Sequence, residues 1–210
     1  MKYAQLNLNG SYNRTLDSSD QIEVATDTSK TVSQLTNEEK LELRLYPIVP
    51  TSIPAFDPRS HWVREIDPVI VNSVVTQRWQ VLALPAEQAQ ANYNATKQNK
   101  RNQINDWRAQ ANQTSFTYAG KQIESDALSR SDIDGVAGSI SLTGDFPAGF
   151  PNAWKALDNT YVAIPTVQAF KDMYSAMTLQ GTINFGKAQQ LKAALDAATT
   201  LAEIDAVVWN

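Results

Sequence analysis

Residues 61–84 read HWVREIDPVIVNSVVTQRWQVLAL, two runs rich in β-branched and aromatic residues on either side of Asn72-Ser73. From Val75 to Val81 apolar and polar residues alternate with a period of two, as they do in a half-buried strand. Asn and Ser favour turns because their side chains hydrogen-bond to nearby backbone. The stretch therefore predicts a β-hairpin that carries Trp62 on one strand and Trp79 on the other.

A long polar helix is predicted directly after this hairpin, from Pro85 to about Asn112, because proline is tolerated in the first turn of a helix. Positions 93, 97, 100, 104, 107 and 111 follow a 3.5-residue spacing, although lysines occupy the second and third of them. Two interpretations stay open. The stretch is either an exposed linker helix anchored by Ile104 and Trp107, or a coiled-coil seam of a homo-oligomer.

The chain before the hairpin has three parts. Residues 1–35 are rich in Asn, Ser, Thr and Asp, which indicates short strands and loops. The sequence Thr36-Asn37-Glu38-Glu39 is a capping box, and it predicts a short helix that runs through about Leu45 and is stopped by Pro47. Several prolines then favour an extended path through residues 46–58.

The C-terminal half alternates hairpins with helices. Hairpins are predicted over residues 116–123, turning at Ala119-Gly120, and over residues 154–164. A helix is predicted from Asp126 to about Ser141. Thr166 should cap another helix, which Gly181 is expected to end. Two further helices are predicted over about 184–198 and 201–208.

These elements indicate an α+β fold with three segments. Residues 1–85 form a small antiparallel β region that serves for attachment, residues 86–100 form a polar linker helix, and residues 101–210 form a helical domain with two short β-hairpins.

The composition of the chain disfavours nucleic-acid binding, a membrane span and most catalytic or metal-binding sites. The net charge of -4 and pI of about 5.0 offer no basic surface for nucleic acid, and no run of apolar residues is long enough for a membrane span. With 0 cysteines and His61 as the sole histidine, thiolate and histidine-pair sites are impossible. Asp132 and Asp134 precede a glycine, but the later ligands of a calcium loop are missing. We therefore expect a protein that is not an enzyme and takes no cofactor or metal.

The aromatic residues are the remaining candidates for function. Trp107, Trp154 and Trp209 lie on patterned elements and are interpreted as core. A small hairpin cannot bury two indoles by itself, and interfaces favour tryptophan. Residues predicted to contact a partner are Trp62, Trp79, Tyr46 and Phe56.

A resemblance supplies the expected partner. From Arg101 onward the chain resembles a domain of unknown function that recurs at the C-termini of tailed-bacteriophage tail and tail-fibre-associated proteins. The matching residues are Ile104-Asn105-Asp106-Trp107-Arg108, Phe116-Thr117-Tyr118-Ala119-Gly120, Asp126, Ser129, Trp154, Asp158-Asn159, Val162, Phe170, Met173 and Trp209. The upstream segment is similar to the leading part of tail-fibre assembly proteins in Tyr46-Pro47, Phe56-Asp57-Pro58 and Gln77-Arg78-Trp79.

The resemblance implies a structural component of a phage tail, associated with a fibre or baseplate and bound to other tail proteins. It would be assembled in the host cytoplasm and reside in the virion tail. The alternatives are a tail-fibre assembly chaperone and a glycan-binding or glycan-cleaving module for host recognition. No catalytic residue is implied by the resemblance.

Overall fold

The computed structural model describes residues 1–25, 28–72 and 74–210, which divide into two units, Met1–Asn92 and Tyr93–Asn210. The first unit is mainly β-structure, and the second consists mainly of helices with two short hairpins. The presence of a β-rich unit and a mainly helical unit confirms the predicted α+β class. The division falls inside the helix that follows Pro85, a few residues beyond the boundary expected from the sequence.

One mixed sheet organises the N-terminal unit. Its described elements are β1 (Lys2–Leu6), β2 (Tyr12–Asp17), β3 (Gln21–Ala25), β4 (Thr28–Thr31), a 3-10 turn (Val32–Gln34), α1 (Asn37–Glu42), β5 (Leu45–Val49), β6 (His61–Val71) and β7 (Val74–Ala83). The sheet has the order β2-β1-β5-β7-β6, with β5 parallel to β7 and the other pairs antiparallel. The predicted hairpin over residues 61–84 is confirmed as β6 and β7, and β3 pairs with β4 apart from this sheet.

The sheet buries apolar side chains on both faces. On one face Leu16 and Leu45 pack with Ile22 of the β3–β4 hairpin and with Val32. On the other face a smaller core gathers around Ala4, Ile48 and Val75. Because successive residues of a strand point to opposite faces, neighbours such as Leu45 and Tyr46 contribute to different cores.

The capping box at Thr36 is confirmed, but the helix behind it is shorter than predicted. The Thr36 hydroxyl accepts the Glu39 N–H at 3.2 Å, and the Glu39 carboxylate accepts the Thr36 N–H at 2.8 Å. Helix α1 ends at Glu42, and Arg44 has a φ of 57°. The prediction of helix through Leu45 was wrong because Leu45 starts β5, which pairs with β1 and buries Leu45 in the sheet.

The second unit follows the predicted alternation of elements. They are α2 (Ala86–Asn112), whose first turns precede the division, β8 (Ser115–Tyr118), β9 (Lys121–Glu124), α3 (Ala127–Thr143), β10 (Ala153–Lys155), β11 (Tyr161–Ala163), α4 (Val167–Ala197) and α5 (Leu201–Asp205). Both predicted hairpins are confirmed. Ala119 and Gly120 take φ values of 47° and 77°, as the tight turn between β8 and β9 requires.

The stripe of α2 with 3.5-residue spacing packs inside the chain. The Tyr93 hydroxyl donates to the Ala198 carbonyl at the end of α4, and the Lys97 ammonium donates to the Asp196 carbonyl at 2.9 Å. Lys100 donates to the Val207 carbonyl at 3.2 Å. Ile104 is buried in the core formed with α4 and α5. A coiled-coil seam on this stripe is thus wrong, because α4 and the residues after it already cover the stripe.

Helix α4 is continuous, so the prediction that Gly181 ends it was wrong. Thr166 caps the helix as predicted, and the helix runs on to Ala197. Residues buried on both sides of the glycine, Met177 and Asn184, lie on the same packed face. Their burial outweighs the roughly 1 kcal/mol that a glycine costs in a helix interior.

Replacing Gly181 by Ala should therefore stabilise the protein. A Cβ built there meets no atom within 4 Å, so we expect the free energy of unfolding to rise by about 0.5–1 kcal/mol. Urea unfolding measures the change. Gly144→Ala is the control of opposite sign, because Gly144 has a φ of 80° that alanine adopts only with strain. Equal changes in the free energy of unfolding for Gly181→Ala and Gly144→Ala would contradict the placement of Gly181 in a helix interior.

Candidate interaction surfaces

The β5-β7-β6 part of the N-terminal sheet exposes apolar side chains on one face, with Trp62 near one end of the β6–β7 hairpin and Val71 and Val74 at the other. The register pairs Val71 with Val74, Trp62 with Leu82, and Val49 with Thr76, so these residues share one face. Trp62 is 42% exposed and Val71 is 54% exposed. We call the set Val49, Trp62, Val71 and Val74 the Trp62 face.

The Trp62 face also carries cationic side chains. Arg64 and Arg78 lie on the same face, since Arg64 pairs with Gln80 and Ile66 pairs with Arg78. The Arg64 guanidinium donates two hydrogen bonds to the Gln80 side-chain oxygen, at 3.1 and 2.9 Å. The two arginines lie between Trp62 and the valines, so the face mixes apolar and cationic side chains, a combination that protein–protein interfaces also show.

Trp79 lies on the opposite face of the same hairpin. It shares that face with Val75 of β7, and its indole N–H donates to the Thr51 carbonyl at 3.1 Å. Tyr46 is half-buried against the core around Ala4, Ile48 and Val75. Phe56 is half-buried in the segment between β5 and β6. The four predicted contact residues therefore do not form one surface, and only Trp62 belongs to the exposed face described above.

The C-terminal unit contains a groove of about 850 Å³. Its walls come from the first half of α3, the segment that contains Pro147 and Phe150, and the β10–β11 hairpin. We call it the α3–β10 groove. It has the size of a small-molecule site. The fold brings these elements together partly through a bridge between Ile123 of β9 and Ala156.

Aromatic side chains line the α3–β10 groove and continue beneath it. Trp154 is half-buried, whereas Tyr161 is 69% exposed. Phe150 stacks on Phe146 with ring centroids 4.3 Å apart, and both rings meet the edge or face of buried Phe170 at 6.3–6.4 Å. Trp154 is held at 6.2 Å from Phe170. The groove thus rests on a packed aromatic layer.

Polar groups of both charges line the α3–β10 groove. Glu124, Asp132 and Lys155 are exposed there, and none forms an ion pair or hydrogen bond with a side chain in the described ranges. Neighbouring Asp158 is different, because Lys121 donates to its carboxylate at 2.7 Å and Thr160 at 2.6 Å. These contacts hold the pKa of Asp158 far below its usual value. Asp158 therefore fixes the hairpin turn while the other three side chains face the groove.

The neighbours of the remaining candidate residues, His61, Asp132 and Asp134, give each of them a structural explanation. His61 Nδ1 lies 2.8 Å from Ser60 Oγ. Asp57 is the nearby carboxylate that could orient the imidazole, but it accepts hydrogen bonds from Arg59, and these hydrogen bonds lower the pKa of Asp57. Asp132 and Asp134 lie within helix α3 and not in a calcium loop. Across residues 1–25, 28–72 and 74–210, no group of three or more His, Cys, Asp or Glu could hold a metal ion.

The sequence did not predict the α3–β10 groove. Trp154 was interpreted as core, and it does pack against the C-terminal core while also lining the groove. One sequence signal for the groove is the stretch Phe146-Pro147-Ala148-Gly149-Phe150-Pro151. Its prolines and glycine indicate a loop, and its two phenylalanines favour packing against other aromatic rings. Within the described part of the chain, no helix has the length and apolar content to cross a membrane.

Fold and surfaces together define a two-unit α+β protein with an exposed apolar sheet face and a separate polar, aromatic groove. Residues 95–208 match a family described as Domain of unknown function (DUF4376). The match covers more than half of the 210 residues, and the chain belongs to this family. Neither the curated proteins nor the solved structures contain a match to it.

Proposed function

We propose that this chain is a structural component of a bacteriophage tail and that the Trp62 face attaches it to a fibre or baseplate protein. The class of assembly is inferred from the resemblance of the segment after Arg101 to phage tail proteins. The mode of action rests on the exposure of four apolar side chains on one face of the sheet. An enzymatic role is not part of the proposal.

The Trp62 face has the composition of a contact surface. Transfer of apolar surface from water contributes about 25 cal/mol per Å², so a partner that covers Trp62 and the valines gains a substantial stabilisation. Arg64 and Arg78, which lie between Trp62 and the valines, favour a partner that carries acidic groups. Trp62 is the expected centre of the interface because tryptophan side chains often dominate binding energy.

The proposal predicts that purified virions contain this chain in a fixed ratio to another tail protein. Substitution Trp62→Ser should reduce incorporation at least about tenfold, since loss of an interface tryptophan costs about 2 kcal/mol or more. Quantitative mass spectrometry of virions produced with the wild-type or variant chain measures both effects. The control is Leu128→Ser, since Leu128 is also an exposed apolar residue but lies in the C-terminal unit.

Two results would contradict the proposal. Absence of the wild-type chain from virions would contradict the structural role. Equal incorporation of the Trp62→Ser and Leu128→Ser variants would show that the Trp62 face is not the attachment surface. Circular dichroism of each variant establishes that both are folded.

The alternative function is a tail-fibre assembly chaperone, supported by the similarity of the Tyr46-Pro47 and Gln77-Arg78-Trp79 segments to tail-fibre assembly proteins. A chaperone would use the same exposed face transiently and leave the finished virion. Co-expression separates the two: soluble, correctly assembled fibre that appears only with this chain, together with its absence from virions, favours the chaperone.

A further inference from the structure

We infer that the α3–β10 groove is a binding site for a neutral saccharide. This inference concerns the C-terminal unit alone and stands independently of the attachment role proposed for the N-terminal sheet. The groove offers about 850 Å³, enough for a few sugar rings. Its lining combines exposed aromatic surface with unengaged polar side chains.

The aromatic part of the groove suits the apolar face of a pyranose ring. Tyr161 is 69% exposed on the outer face of the β10–β11 hairpin, beside Lys155, whereas Trp154 lies on the inner face and is held in place by Phe150 and Phe170. Aromatic rings supply large, rigid contact area together with a polar group. Because Trp154 is fixed by packing, a ligand that stacks there does not have to order the indole.

The polar part suits a ligand with many hydroxyl groups and no charge. Carboxylates at Glu124 and Asp132 accept hydrogen bonds, the Lys155 ammonium donates them, and the Asn159 amide does both. A sugar hydroxyl can donate to a carboxylate and accept from an ammonium. Hydrogen bonds to charged groups are the stronger kind.

The same charges disfavour other ligands. The two carboxylates outnumber the single ammonium, so the net negative charge disfavours an acidic sugar or phosphate, while a purely apolar ligand would leave all three ions desolvated without partners. A peptide is the competing macromolecular ligand. The exposed, unengaged polar side chains favour the saccharide, since a peptide strand would pair mainly with backbone groups of a hairpin edge.

Two glycines of α3 allow a matched test. Gly135 lines the groove and Gly138 does not, and a Cβ at either position meets no atom within 4 Å. Leucine at either position improves helix propensity, and its Cβ displaces no neighbour. Gly135→Leu places a side chain in the groove, whereas Gly138→Leu leaves the groove open.

The experiment applies the full chain to an array of neutral and acidic oligosaccharides and titrates the strongest neutral binder by calorimetry. We expect binding to a neutral oligosaccharide, unchanged affinity in Gly138→Leu, and a loss of about tenfold or more in Gly135→Leu. Tyr161→Ala should also weaken binding, whereas Tyr161→Phe should preserve it because the ring remains.

Several outcomes would overturn the inference. They are no binding to any neutral oligosaccharide on the array, tighter binding to acidic than to neutral sugars, and equal affinity of the Gly135→Leu and Gly138→Leu variants. A peptide array is probed in parallel, and a bound peptide that the Gly135→Leu variant no longer binds, with no sugar bound, would assign the groove to a protein ligand instead.

Discussion

Replacing Phe170 by Ala should lower the free energy of unfolding of the C-terminal unit by about 3–5 kcal/mol, the usual cost of truncating a buried phenylalanine. Phe170 is 1% exposed and lies at the centre of the aromatic layer. Its ring contacts Phe146 and Phe150 edge to face and Trp154 at a tilt. Truncation removes the ring that all three share, and it leaves a cavity beneath the α3–β10 groove.

The matched control for this prediction is Phe185→Ala in the same helix. Phe185 is 46% exposed, and its ring meets the Arg108 guanidinium at 4.9 Å, so its loss should cost only about 0.5–1 kcal/mol. Urea unfolding with hydrogen exchange of α3 and α4 separates this unit from the N-terminal one, since the two units need not unfold together. Equal losses in both variants would contradict the central role of Phe170.

Much of the fold could be predicted because local signals and tertiary packing agree. Alternation from Val75 to Val81 predicted β7, and the Ala119-Gly120 turn predicted the β8–β9 hairpin. The wrong helix ends at Leu45 and Gly181 are cases in which packing overrides local preference. Leu45 follows a good helix start but is buried as part of β5, and Gly181 is a helix breaker by composition but lies in a helix whose buried face continues past it.

The candidate surfaces were less predictable because they depend on strand register and on contacts distant in sequence. Trp62 and Trp79 are both on the hairpin, yet their alignment across β6 and β7 decides that they lie on opposite faces. The groove joins Asp132 of α3 with Tyr161 of β11, and nothing in either segment alone indicates the other. Register could be deduced only after the bulge between Ile66 and Val69 was known.

A polar cluster at the C-terminal end of α2 links the helices α2, α3 and α4 of the C-terminal unit. The Asn112 carbonyl accepts hydrogen bonds from Arg130 Nη2 at 2.7 Å, from Arg130 Nε at 3.1 Å and from the buried Ser125 hydroxyl at 2.7 Å. The Asn112 side-chain oxygen accepts from the buried Asn184 amide at 2.9 Å. Arg130 therefore places a positive charge where the α2 dipole is negative, and it links α2 to α3. The cluster also includes α4 through Asn184.

Arg130→Met should consequently lower the free energy of unfolding by about 2–3 kcal/mol, because it removes charge-assisted hydrogen bonds from partly buried carbonyls while keeping most of the side-chain volume. Arg101→Met is the control: Arg101 pairs with Asp196 at the surface, and such exposed pairs contribute about 0–1 kcal/mol. Urea titration of the two variants measures the difference. Arg130→Lys should recover only part of the loss, since a single ammonium cannot reproduce the guanidinium contacts with both Asn112 and Ser125. Full recovery by lysine would show that charge alone acts at this helix end.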